Sequence, residues 1–236
     1  MIRCLLEFKA TKFEMKIYFY IAIIFSSIFF MSCEEKAKSV TPNVFNNLFY
    51  EDKFDAVSLS SDWTLVKYPA DKIEIVNQSL MTFNEPTSDD YPVAFLNKLD
   101  YDKNKFQVSF DFKSDYDSVG HSFNILGLTS LTKEVKTQNV TFALFGHKIG
   151  IAVGNENNEI TLDKVPKGGA WYTMKIENIN KTITLIVSLK DGIELGRVDL
   201  KYNGNIDGYW GISGAFLENK LTSRSMVYFD NFKIMQ

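Results

Sequence analysis

Strict alternation of side-chain type constrains this chain most. In Lys105–Lys113, KFQVSFDFK, Phe106, Val108, Phe110 and Phe112 point one way, and Gln107, Ser109, Asp111 and Lys113 the other. A period of two with one apolar and one polar face defines a half-buried antiparallel strand. Similar short runs recur: LFYEDKF, WTLVK, KIEIV, SLMTF, VAFLNK, SFNILGL, VTFALF, KIGIAVG, EITLD, GYWGISGAF and MVYFDNFKIM. WYTMKIENI and TITLIVSL are separated by Asn180 and Lys181, the length of a two-residue hairpin turn, and Lys190–Gly192 turns the chain into IELGRVDL. About a dozen strands at 8–12-residue spacing, with no long amphipathic helix, predict one all-β sandwich or barrel over residues 48–236.

The N-terminal region has a different character. Lys16 precedes an uncharged run, Ile17–Met31, rich in Ile and Phe, and Ser32 and Cys33 follow. A charge, an apolar stretch too short for a transmembrane helix and a small residue form a secretory signal. The stretch resembles a bacterial lipoprotein lipobox of the loose Bacteroidetes type, with Phe30 and Met31 in place of the tighter pattern. The resemblance implies a signal peptide over residues 1–32 and lipidation of Cys33, with the lipid chains holding the protein to a membrane. Glu7 and Glu14 suit no signal n-region, so Met15 is the better start. Residues 33–47 read as a flexible tether. Glu34 and Glu35 resemble the signal that exports such lipoproteins to the cell surface, which makes the expected location the bacterial outer membrane.

Cleavage before Cys33 would remove 32 of 236 residues, including four basic and two acidic side chains out of 26 and 29. The remainder would carry 22 basic and 27 acidic groups, a net charge of −5. A mildly acidic surface argues against nucleic acid as a partner. Cys4 and Cys33 are the only cysteines, so a mature chain would have neither a disulfide nor a thiol nucleophile.

The body resembles concanavalin A-like lectin/glucanase domains. The carrying segments are LFYEDKFDAVSLSSDWTLV, WYTMKIENINKTITLIVSLKDG, and GYWGISGAF followed by MVYFDNFKI, in that order. The resemblance implies an antiparallel jelly-roll sandwich and glycan ligands. Glucanases on this fold carry Glu-x-Asp-x-x-Glu, which sets two carboxylates about 5–5.5 Å apart. No glutamate here has Asp two residues later, so the motif is absent, which argues specifically against that enzyme.

Sugar binding calls for aromatic plates and planar polar groups. The candidate ligand-binding residues are Tyr91, Asp111, His121, Tyr209 and Trp210. Tyr209 and Trp210 are adjacent on one strand and face opposite ways. Trp63 and Trp171 open strands and are assigned to the core. Asp115 and Asp117 follow Asp111 in a loop, and Asp117-Ser118-Val119 resembles a short O-glycosylation motif. His147 reads as a turn residue. Glu51, Asp52, Asp230 and Asn231 offer hard oxygens on the first and last strands, the set for a structural calcium ion. Three functions follow: a non-catalytic, membrane-anchored lipoprotein that interacts with oligo- or polysaccharide; a glycoside hydrolase-like enzyme on the same fold; and a structural or adhesin-like lipoprotein that binds protein.

Overall fold

The computed structural model describes residues 44–66, 72–84, 92–98, 100–115, 122–126, 128–129, 140–164, 166–214 and 225–236. These hold sixteen strands: β1 Leu48–Asp52, β2 Trp63–Val66, β3 Lys72–Ile75, β4 Leu80–Asn84, β5 Val93–Leu96, β6 Lys105–Ser114, β7 Ser122–Leu126, β8 Leu128–Thr129, β9 Val140–Phe145, β10 Lys148–Val153, β11 Glu156–Thr161, β12 Tyr172–Ile179, β13 Thr182–Leu189, β14 Glu194–Lys201, β15 Tyr209–Ile212 and β16 Ser225–Met235. Every pairing is antiparallel. The fold is the all-β sandwich that the alternation predicts.

One layer is an eight-stranded sheet ordered β14-β13-β12-β6-β16-β4-β3, with β1 also on β16. Two four-stranded sheets, β11-β10-β9-β7 and β2-β5-β15-β8, form the rest. The core lies where their apolar faces meet. Phe106, Val108, Phe110 and Phe112 of β6 join Met174 and Ile176 of β12, Phe142 and Leu144 of β9, Ile149 and Ile151 of β10, and Trp63 of β2. Burial of each such side chain contributes about 1.5–3 kcal/mol, and this term dominates the stability of a sandwich without disulfides.

Local backbone chemistry sets the registers. The β12–β13 hairpin closes Ile179 on Thr182, and its two loop residues, Asn180 and Lys181, have φ of 50° and 64°. Two left-handed residues make the turn whose twist matches the strands. In β16, Asn231 has φ of 52° and the pairing with β6 shifts between Asp230 and Lys233. This is a bulge. It explains why the buried residues run Val227, Phe229, then Phe232 and Ile234. Without the extra residue Phe232 would face solvent, because a one-residue slip inverts every side chain that follows.

Candidate functional site

The face of the eight-stranded sheet turned away from the core carries a cluster of polar and aromatic groups. Asp111 of β6 lies opposite Thr173 of β12 and opposite Asp230 of β16. One Asp111 oxygen, Oδ1, accepts a hydrogen bond from Thr173 Oγ1 at 2.7 Å. Its Oδ2 accepts from Asn231 Nδ2 at 3.0 Å and pairs with Lys190 Nζ at 3.3 Å. The bulge is what presents the Asn231 amide to β6. Asp111 sits on the polar face, as its sequence position predicts, yet it is only 8% exposed. It is a hub that orients its neighbours, lying beneath Lys190 at the surface.

Trp171 is the main aromatic group here. It is half-buried, with Lys113 Nζ 5.1 Å and Lys190 Nζ 5.2 Å from its ring centroid. Lys113 also lies 4.5 Å from the ring centroid of Tyr228. The expectation that Trp171 is core is therefore corrected. The signal was present in the sequence: Tyr172, Met174 and Ile176 alternate inward, so Trp171, one residue earlier, belongs to the opposite face. Both lysine contacts are weak enough to yield. A cation–π contact at an exposed site contributes about 0.5–1 kcal/mol. Lys190 is 53% exposed in its side chain, where an ion pair contributes about 0–1 kcal/mol.

Burial and charge shape the carboxylates. Partial burial pushes the Asp230 carboxyl above its ordinary range; the Asn231 amide and Lys190 counter this, and the Asp111 charge adds to it. Partial burial likewise pushes Asp115 up against the pull of Lys113. Burial, then the Asp115 charge, raises the Tyr228 phenol. Two ammonium groups thus face three carboxylates around two rings. Such a surface presents donors, acceptors and an apolar plate, and has no strong preference for either sign of charge.

The other sequence candidates fall elsewhere. Trp210 is a correction. It is 2% exposed, stacked on Phe142 at 5.8 Å and 16° and edge-on to Phe106 at 5.6 Å, so it is a core residue and no ligand plate. Tyr209 faces the other way, as alternation requires, and packs half-buried against Val93 and Phe95. His147 occupies an exposed turn, as expected. Cys33, Tyr91, Asp117, Ser118 and His121 lie outside the described residues.

The calcium candidates divide between separate partners. Asp52 accepts hydrogen bonds from Trp63 Nε1 at 2.8 Å and from the Phe54 amide at 2.8 Å. Glu51, next to it on the opposite face, pairs with Lys233 at 2.9 Å, and that contact pulls its carboxyl below the ordinary range. Asn231 is held by Asp111, while Asp230 accepts from the Asn231 amide at 2.8 Å. Among the described residues no group of three or more His, Cys, Asp or Glu side chains gathers as a metal cage would require. Nor, among those residues, is any helix long and apolar enough to cross a membrane.

No protein-family model matches the chain, and no curated protein matches it either. Solved structures resemble it in fold. The GH43 BlXynB protein from Bacillus licheniformis aligns with a TM-score of 0.55 at 13% identity, over 82% of this chain and 40% of its own. The botulinum neurotoxin serotype D binding domain gives 0.52 at 12% identity, over 80% and 48%. A structure of botulinum neurotoxin type C, whose cell entry depends upon interaction with two ganglioside molecules, gives 0.50 at 8% identity, over 73% and 43%. The chain thus spans under half the length of each, and at these identities the likeness concerns the fold alone.

Proposed function

We propose that this protein is a glycan-interacting β-sandwich that binds sugar on the outer face of its eight-stranded sheet, without catalysis. The carrying observation is the Trp171 plate, edged by Lys113 and Lys190 and set beside the Asp111–Thr173–Asn231 network. The apolar face of a pyranose would stack on Trp171, a contact contributing about 0.5–1.5 kcal/mol beyond its buried area. Displacement of the exposed Lys190 would open Asp111 to ring hydroxyls, since a carboxylate accepts up to about four hydrogen bonds and, among the described residues, Thr173, Asn231 and Lys190 are its side-chain partners. The fold likeness to a toxin that interacts with gangliosides supports this reading at the level of architecture.

The test is affinity electrophoresis or titration calorimetry against a polysaccharide panel, with Trp171→Ala and Trp171→Phe beside the parent chain. Binding that weakens about tenfold or more in the alanine variant and is largely kept in the phenylalanine variant is expected. A folded parent that binds no glycan overturns the proposal.

A hydrolase reading has one observation in its favour. Asp111 and Asp230 are paired across β6 and β16, and partial burial raises the Asp230 carboxyl, the direction that a general acid needs. Glycoside hydrolysis abolished by Asp111→Asn would establish it.

We further propose that residues 1–32 are removed and that Cys33 is lipidated, placing the domain on an outer membrane by a short tether. Mass spectrometry of the mature N-terminus tests this. A chain still beginning at residue 1 or 15, with an unmodified Cys33, refutes it.

A further inference from the structure

A second polar recess lies at the other end of the same sheet. It is a cleft of about 330 Å³ lined by Lys103, Asn104, Tyr202, Gly204, Asn205, Ile206 and Asp207. That volume is at the small end of ligand pockets, room for one or two sugar-sized rings. Trp171 precedes β12 and the cleft lies beyond its last residue, so the two places are about 25 Å apart at the rise of a strand.

The cleft is built from three chain segments tied together. The Asn180 amide donates to the Asn104 carbonyl at 3.1 Å, and the Tyr202 amide donates to the Lys181 carbonyl at 3.1 Å, so the β12–β13 turn fastens both walls. Behind them Asn178, fully buried, donates through Nδ2 to the Lys103 carbonyl at 2.7 Å and to the Tyr202 hydroxyl at 3.1 Å. Its Oδ1 has no hydrogen-bond partner among the described residues. Tyr202 is itself only 2% exposed, so this pair forms the buried back wall of the cleft. Among the described residues the side-chain amides of Asn104 and Asn205 have no hydrogen-bond partner, and both residues are exposed.

Charge narrows the ligand. Lys103 Nζ rests 3.7 Å from the Tyr101 ring centroid and 3.8 Å from Asp207. The lining residues therefore sum to zero charge, and neither an anion nor a cation gains a net attraction from them. Burial lowers the Lys103 ammonium pKa, with the Asp207 charge opposing this. At the rim stand two exposed planar amides, Asn104 and Asn205, beside the Lys103–Asp207 ion pair, while Tyr202 and Ile206 are buried behind them. Donors and acceptors so mixed, set beside some apolar surface, match a neutral polyhydroxylated ring. We infer that this cleft is a second ligand site, selective for an uncharged mono- or disaccharide and independent of the Trp171 face.

The test is an amide-resonance titration of isotopically labelled protein with glucose, N-acetylglucosamine, lactose and, as anion controls, acetate and inorganic phosphate. A neutral sugar is expected to shift the Asn104 and Asn205 side-chain resonances. Asn205→Ala, at an exposed position that leaves the fold intact, is expected to weaken the response about tenfold, the scale of one lost strong hydrogen bond. Trp171→Ala is expected to leave the cleft response unchanged. Absence of any cleft shift with the three sugars, or shifts only with acetate or phosphate, overturns the inference. A cleft response that survives while the Trp171 face stays silent would refute the proposed function and leave this site standing.

Discussion

Replacement of Asp52 by alanine separates a structural carboxylate from a metal ligand. Asp52 receives the indole N–H of Trp63 and the amide of Phe54, and those two residues are 6% and 2% exposed. Alanine would strand two donors in a region that admits little water. A buried donor left unsatisfied costs about 1–3 kcal/mol, so the pair together costs about 2–4 kcal/mol after partial relaxation. For a domain of this size each kcal/mol moves Tm by about 2–4 °C, which gives a fall of roughly 5–15 °C. Asn, which keeps one acceptor oxygen, is expected to lose about half as much. The assay is thermal unfolding followed by near-ultraviolet circular dichroism, which reads the packing of Trp63 against Phe232 and Tyr50. The same melts run with calcium and with a chelator complete it. A Tm that rises with calcium in the parent and loses that rise in Asp52→Ala would refute the reasoning, and so would an alanine variant as stable as the parent.

Three further outcomes follow from the packing and the charges. Gly214→Ala should destabilise by about 1–3 kcal/mol, because a Cβ there would stand 2.2 Å from Val227 Cβ; Gly211→Ala, whose nearest contacts are side-chain atoms at 3.1 Å, should cost less in a parallel denaturant melt. Lys181→Gly should raise stability by about 1 kcal/mol, since a lysine at φ 64° bears the left-handed penalty that glycine does not, and an unchanged or lowered urea midpoint would contradict that. For Asp230 the folded carboxyl lies above its ordinary 3.8, so the native state binds the proton more tightly than the unfolded chain. Stability from this group is thus full below 3.8 and is lost as pH rises through the higher folded value. Asp230→Asn should therefore stabilise the protein at neutral pH and make little difference in acid, read as the difference between two Tm-against-pH curves.

Much of this molecule is legible from residue order. The two faces of β6 follow from KFQVSFDFK, and the β12–β13 turn follows from its two-residue length. Trp171 could also have been placed outward from Tyr172, Met174 and Ile176, but a large indole at a strand start was assigned by type and not by parity. Trp210 posed the reverse difficulty. Parity showed that it and Tyr209 oppose each other, but it did not show which one faces the core. That choice depends on Phe106 and Phe142, which lie 104 and 68 positions away in the chain.

Alternation alone therefore determined that this chain is an antiparallel all-β sandwich or barrel and which residues of each strand share a face, because the backbone itself turns successive side chains to opposite sides. Only the tertiary structure decided which faces become neighbours. Asp111, Thr173, Trp171, Asp230 and Asn231 meet because β12 and β16 both pair with β6, and a left-handed Asn231 shifts the register of the last strand. The cleft at the far end depends in the same way on one buried amide, Asn178, that holds Lys103 and Tyr202 together. Strand partners are selected by the total burial of all the apolar faces at once, and no local stretch of sequence carries that sum.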